Sequence, residues 1–178
     1  MATLRLFSDY YMLKPPYQGY TESNKAYVDF SAKPTSARVK VWFSRIRTAT
    51  FWGIAPPQDV DCLDAYMLYV RVNGQLVELK RDVVCKNEYY EQDVTFATIE
   101  GRNEISIRLE SGRTTSDEFW ANAELVYEGA EATLTKAPEP QTTWFFLGSL
   151  GANFAYILNM MLYFMVMILM IKAIRVIL

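Results

Sequence analysis

Short segments of alternating apolar and polar residues dominate positions 25 to 127, and no stretch there holds a helical period. In NEISIRLE, Ile105, Ile107 and Leu109 fall on one side of an extended chain, while Glu104, Ser106, Arg108 and Glu110 fall on the other. That is the pattern of a half-buried strand. FWANAELVY places Phe119, Ala121, Ala123, Leu125 and Tyr127 on one face, and ARVKVWF sets Val39, Val41 and Phe43 against Arg38 and Lys40. With AYVDF, YMLYVRV, QLVEL and QDVTF these predict about seven or eight strands, broken by Gly, Pro and Asn signals, which is the arrangement of a β-sandwich.

The hydropathy changes abruptly near the C-terminus. From Trp144 to Ile171 no residue is charged, and such a run would extend about 42 Å as a helix, more than the roughly 30 Å of a hydrocarbon core. The expected fold class is therefore mostly β, an antiparallel β-sandwich followed by one C-terminal transmembrane α-helix. The expected organisation is a Tyr- and Pro-rich N-terminal arm over 1–24, the sandwich over 25–128, a Pro-containing linker over 129–143, and the helix with a short basic tail over 144–178. Trp144, Phe145 and Phe146 suit one membrane interface, and Lys172 and Arg175 can snorkel to the other.

Gly148, Ala152, Ala155 and Asn159 recur on one face of that helix, a small-residue stripe that lets a second helix approach closely. Asn153 and Asn159 would lie near mid-membrane, where an amide facing lipid has no water to replace its hydrogen bonds. These five residues are the expected helix–helix packing positions, with other membrane subunits or a second copy as partners. The tail's two basic residues weakly favour the C-terminus on the cytoplasmic side and the β domain outside. MATLRLFSDYYMLKPP has no apolar h-region of a secretory signal, so a tail-anchored cytosolic domain and a virion protein both stay open.

The Asn73-Gly74 pair is the strongest local signal, because both residues accept the positive φ of a type I′ hairpin turn. The register set by that turn brings Val70 opposite Val77, Leu68 opposite Leu79 and Cys62 opposite Cys85. A disulfide and two buried thiols are both compatible with this placement. The runs YVRVNGQLVEL and QDVTFATIEGRNEISIRLES together resemble the later strands of galactose-binding-like jelly-roll domains. The resemblance covers about residues 66–111. It implies a jelly-roll fold and an ancestry of glycan or protein binding, and it assigns no ligand residue.

Charge and composition narrow the function. Without Lys172 and Arg175, 16 basic residues face all 20 acidic ones, so the soluble part is mildly acidic and has no electrostatic footprint for nucleic acid. The chain has no histidine, which excludes His-based triads and metal sites. Two cysteines are too few for a four-thiolate zinc or iron–sulfur site in one chain. Asp59, Asp61 and Asp64 offer oxygen ligands for calcium or an acid–base pair, but they match no EF-hand loop. Met160, Met161, Met165, Met167 and Met170 read as packing residues of the helix rather than copper ligands. Trp42, Phe51, Trp52, Tyr89, Tyr90 and Trp120 are candidates for a sugar-stacking or protein-anchoring surface, against the simpler reading that they fill the core. No cofactor and no catalytic residue is expected. The leading expectation is a non-enzymatic membrane-anchored structural or interaction subunit, in a membrane complex or in a virion or envelope. The alternative is a membrane-tethered glycan-binding module.

Overall fold

The structure is a computed structural model and describes residues 1–49, 57–113 and 117–137. Twelve strands occur among these residues. In chain order they are β1 (Ala2–Arg5), β2 (Tyr11–Leu13), β3 (Tyr20–Glu22), β4 (Ala26–Phe30), β5 (Ser36–Arg47), β6 (Asp59–Val60), β7 (Cys62–Val72), β8 (Gln75–Cys85), β9 (Tyr89–Asp93), β10 (Gly101–Ser111), β11 (Glu118–Glu128) and β12 (Ala132–Lys136). They form two antiparallel sheets. In sheet 1, β5 lies between β11 and the short strands β6 and β9, and β1 and β2 share the far edge of β11. In sheet 2 the order is β12-β4-β10-β7-β8, with β3 continuing the row of β4 along β10. The chain passes from one sheet to the other at β2–β3, β4–β5, β6–β7, β8–β9, β9–β10, β10–β11 and β11–β12, which makes the sandwich a jelly roll.

The alternation in sequence becomes the core. Val39, Val41, Phe43 and Ile46 of β5 and Phe119, Ala121, Ala123 and Leu125 of β11 are buried from sheet 1. Leu68, Val70 and Val72 of β7 and Ile105, Ile107 and Leu109 of β10 meet them from sheet 2. Phe119 joins the layers: its ring centroid is 4.7 Å from Tyr66 of β7 and 5.4 Å from Phe43, both edge-on, the geometry that ring quadrupoles favour.

The structure refines several sequence expectations. Residues 1–24 pack along the sandwich and join its sheets, because β1 and β2 pair with β11 and β3 pairs with β10. Leu6, Phe7, Tyr11 and Leu13 are buried there and seal the edge of the core. The expected linker 129–143 begins inside the sandwich, since β12 pairs with β4. QDVTF is not one strand: β9 stops at Asp93, and a 3₁₀ turn covers Thr95–Ala97. The break follows from side-chain bonds, with Asp93 Oδ1 accepting from the Thr95 amide and Thr95 Oγ1 accepting from the Ala37 amide.

The β7–β8 hairpin turns at Asn73 and Gly74, both with positive φ, and ends in a disulfide between Cys62 and Cys85. No helix among the described residues is long and apolar enough to cross a membrane. The expected transmembrane segment 144–178, with Gly148, Ala152, Asn153, Ala155 and Asn159, lies outside the described residues, as does the remainder of the linker from 138.

Candidate functional site

Both sheets carry charge on their outward sides. On sheet 2 Lys25 meets Glu104, Arg71 meets Glu22, Arg102 meets Asp29 and Arg81 meets Glu78, and Arg108 and Arg102 lie 3.6 and 5.8 Å from the Tyr20 and Tyr27 rings. Such exposed ion pairs are ordinary on a solvated face. Sheet 1 groups two tryptophans and a tyrosine among its cations. On β5 the inward positions Val39, Val41 and Phe43 leave Arg38, Lys40 and Trp42 facing out, and on β11 the same alternation turns Trp120, Asn122 and Glu124 out. Strand pairing sets Tyr89, Trp42 and Asn122 in one row, since Trp42 opposes Tyr89 on one side and Asn122 on the other.

A bulge completes the cluster. The β5–β11 register shifts between Trp120 and Ala121, with Ser44 as the extra residue, so Arg45 becomes the partner of Trp120. A bulge re-aims the side chains beyond it. Here it brings the Arg45 and Arg47 guanidinium carbons to 5.1 and 5.6 Å from the Trp120 ring centroid. Lys40 Nζ sits 3.9 Å from the Tyr89 ring, and the Trp42 and Tyr89 rings are 5.5 Å apart at 57°. Tyr89 is 61% exposed. Asn122 is buried beneath this surface; its Oδ1 accepts from the Ala123 amide, while its Nδ2 has no hydrogen-bond partner.

The structure separates the sequence candidates. Trp42, Tyr89 and Trp120 share this face, Tyr90 points into the core, and Phe51 and Trp52 lie outside the described residues. Asp59, Asp61 and Asp64 do not converge. Asp59 makes a two-pronged pair with Arg45 at 2.8 and 2.9 Å, Asp61 meets Lys86 Nζ at 2.6 Å, and Asp64 meets Arg113 at 2.5 Å. The hydrogen bond from Arg45 is the main cause holding the Asp59 carboxyl below its ordinary value. Among the described residues no group of three acidic or cysteine side chains could hold a metal ion.

Among the described residues, a different carboxylate, which sequence reasoning passed over, is the most enclosed. Asp117, buried, accepts from Tyr66 Oη at 2.6 Å and from the Ala49 amide at 2.7 Å, and pairs with Arg113 Nε at 3.3 Å. It ties the start of β11 to β7 and to the end of β5. Burial and this hydrogen bond push the Tyr66 phenol upward, and burial pushes Tyr90 up to about 12. Both folded-state values lie above the roughly 10 of a free phenol, so their stabilisation is complete below pH 10 and is lost as pH rises through the folded values. Chemical denaturation between pH 9 and 12 should therefore show stability falling by up to about 1.4 kcal/mol per pH unit for each of the two tyrosines. Tyr90→Phe should remove its share of that slope.

No family model matches the chain, and no curated protein matches it. Among solved structures, a family 35 carbohydrate-binding module from an environmental isolate is similar at 12% identity, over 69% of this chain and 74% of that one, with a TM-score of 0.37. The family 35 module of Abf62 from Cellvibrio japonicus is similar at 12% identity, over 68% and 74%, with a TM-score of 0.35. A chain of infectious bursal disease virus, Gx strain, is similar at 12% identity and a TM-score of 0.40, over 75% of this chain and 32% of that one. At these scores the similarities carry no ligand, activity or residue role to this chain.

Proposed function

We propose that the protein is a membrane-anchored, non-enzymatic interaction subunit, in which the uncharged segment 144–171 holds the chain in a bilayer and the sandwich binds a protein partner through the outer face of sheet 1. The setting is an accessory subunit of a membrane complex or a component of a virion or envelope. The observation that carries the reading is the grouping of Trp42, Tyr89, Trp120, Arg45 and Arg47 on one side of a sheet. Trp, Tyr and Arg are the residues that most often dominate protein interfaces, because they combine large apolar area with a polar or charged handle. The anchor rests on the length of the uncharged run and on the small-residue stripe within it.

The full chain, isolated from its native membrane or particle in mild detergent, should retain a set of proteins in fixed ratio. Joint replacement of Trp42 and Tyr89 by Ala should release at least one of them while the melting temperature changes little. An unchanged partner set would remove the face from this proposal.

The exposed ring of Tyr89 favours one second reading, a membrane-tethered glycan-binding module. Calorimetric titration of the full chain with a glycan panel separates the two. Saturable millimolar binding abolished by Tyr89→Ala would support the glycan reading, and no heat at that concentration would leave it without support.

A further inference from the structure

The connection from β9 to β10 forms a tip at the end of the sandwich where β4 and β7 finish and β5 begins. Phe96 and Ile99 stand on it, 62% and 52% exposed. A loop free to rearrange would turn such side chains toward the core. This one is fastened to both sheets. Toward sheet 1, Val94 donates its amide to Ala37 O, and Thr95 Oγ1 exchanges hydrogen bonds with the Ala37 amide and carbonyl. Toward sheet 2, Asn73 Nδ2 donates to Ala97 O and to Asn103 Oδ1, and Asn103 bonds both the amide and the carbonyl of Ile99. The apolar pair is thus held outward in one geometry, with little left to order on binding, the preorganisation that makes a small contact effective.

The surroundings identify the occupant. Asp93 and Glu100 are exposed on either side of the pair, while the nearby Arg102 is turned to Asp29 and the Tyr27 ring. An acidic flank disfavours anionic lipid headgroups. We infer that Phe96 and Ile99 are a second docking point, which inserts into an apolar pocket bordered by Lys or Arg on a partner protein. The inference rests on the reading of the sandwich as a protein-binding subunit, and it places a contact on a surface distinct from the outer face of sheet 1.

The test uses the full chain in its native membrane, with a photoactivatable phenylalanine analogue in place of Phe96 and, in a separate chain, in place of Tyr89. The expected result is one protein adduct from position 96 that disappears with Ile99→Ser. That protein, once purified, should bind the Phe96→Ser chain at least about tenfold more weakly than the native chain, at an unchanged melting temperature. Lipid adducts or none from position 96, with protein adducts from position 89, would overturn this inference and leave the interaction-subunit reading standing. No protein adduct from either position would overturn both. A captured protein whose affinity is unaltered by Phe96→Ser would also overturn it.

Discussion

Replacing Phe119 with Ala should lower the unfolding free energy by about 3–5 kcal/mol, the range for truncating a buried aromatic side chain. The ring is fully buried in sheet 1 and touches Phe43 of its own sheet and Tyr66 of the other. Its loss therefore opens a cavity between the layers that neither strand can close, because β11 is pinned to β5 along its whole length. Phe119→Leu, which retains most of the volume, should cost clearly less. Urea unfolding of both variants checks this, and equal costs would mean that the edge-on ring contacts, rather than the cavity, dominate.

Asp117→Ala should cost about 3 kcal/mol for a different reason. The carboxylate accepts hydrogen bonds from the Tyr66 hydroxyl and the Ala49 amide and faces Arg113. Truncation leaves the buried hydroxyl without its acceptor and strands part of a charge, and unmet buried polar groups cost more than the bonds they replace. Asp117→Asn keeps an acceptor oxygen and should recover part of the loss. The difference between the two variants in urea unfolding measures how much of the effect is charge, and Tyr66→Phe combined with Asp117→Ala should be less than additive because both act on one bond.

The two residues were not equally visible in the sequence. Phe119 sits in a clean alternation of five apolar positions, so its inward direction follows from the period of a strand alone. Asp117 precedes that run with nothing to distinguish it from a solvated loop acid; its burial depends on β7, more than forty residues away in the chain, presenting Tyr66 to it. The aromatic outer face of sheet 1 lies between these cases. The same alternation that buries Val41 and Phe43 sends Trp42 outward, and the one that buries Phe119 and Ala121 sends Trp120 outward, but only the adjacency of β5, β9 and β11 and the extra Ser44 bring the rings and guanidiniums together. Long-range pairing of this kind leaves no local trace. β1, β2 and β3 were hidden because strands of three or four residues are too short to show a period, and β12 because none of its residues is fully buried.

The β7–β8 hairpin shows how a local rule can fail in the middle and still hold at the ends. From the Asn73-Gly74 turn the register runs as expected through Val70 and Val77, then slips at Leu68, which faces Lys80 instead of Leu79. A second irregularity between Leu63 and Tyr66 slips the other way and returns Cys62 to a position opposite Cys85. Ala65 in this second bulge and Asp82 opposite it both take positive φ, the backbone signature of a strand bent locally to absorb a mismatch.

That hairpin forms the outer edge of sheet 2, where among the described residues β8 has only β7 as a strand neighbour. An edge strand is the element most easily lent to another molecule, by fraying and re-pairing with a copy alongside. Here the turn joins the two strands at one end and the Cys62–Cys85 bond joins them at the other, so they form a closed covalent ring. With both ends tied, β8 cannot be drawn far from β7, and the closure opposes its transfer into the sheet of a neighbouring copy.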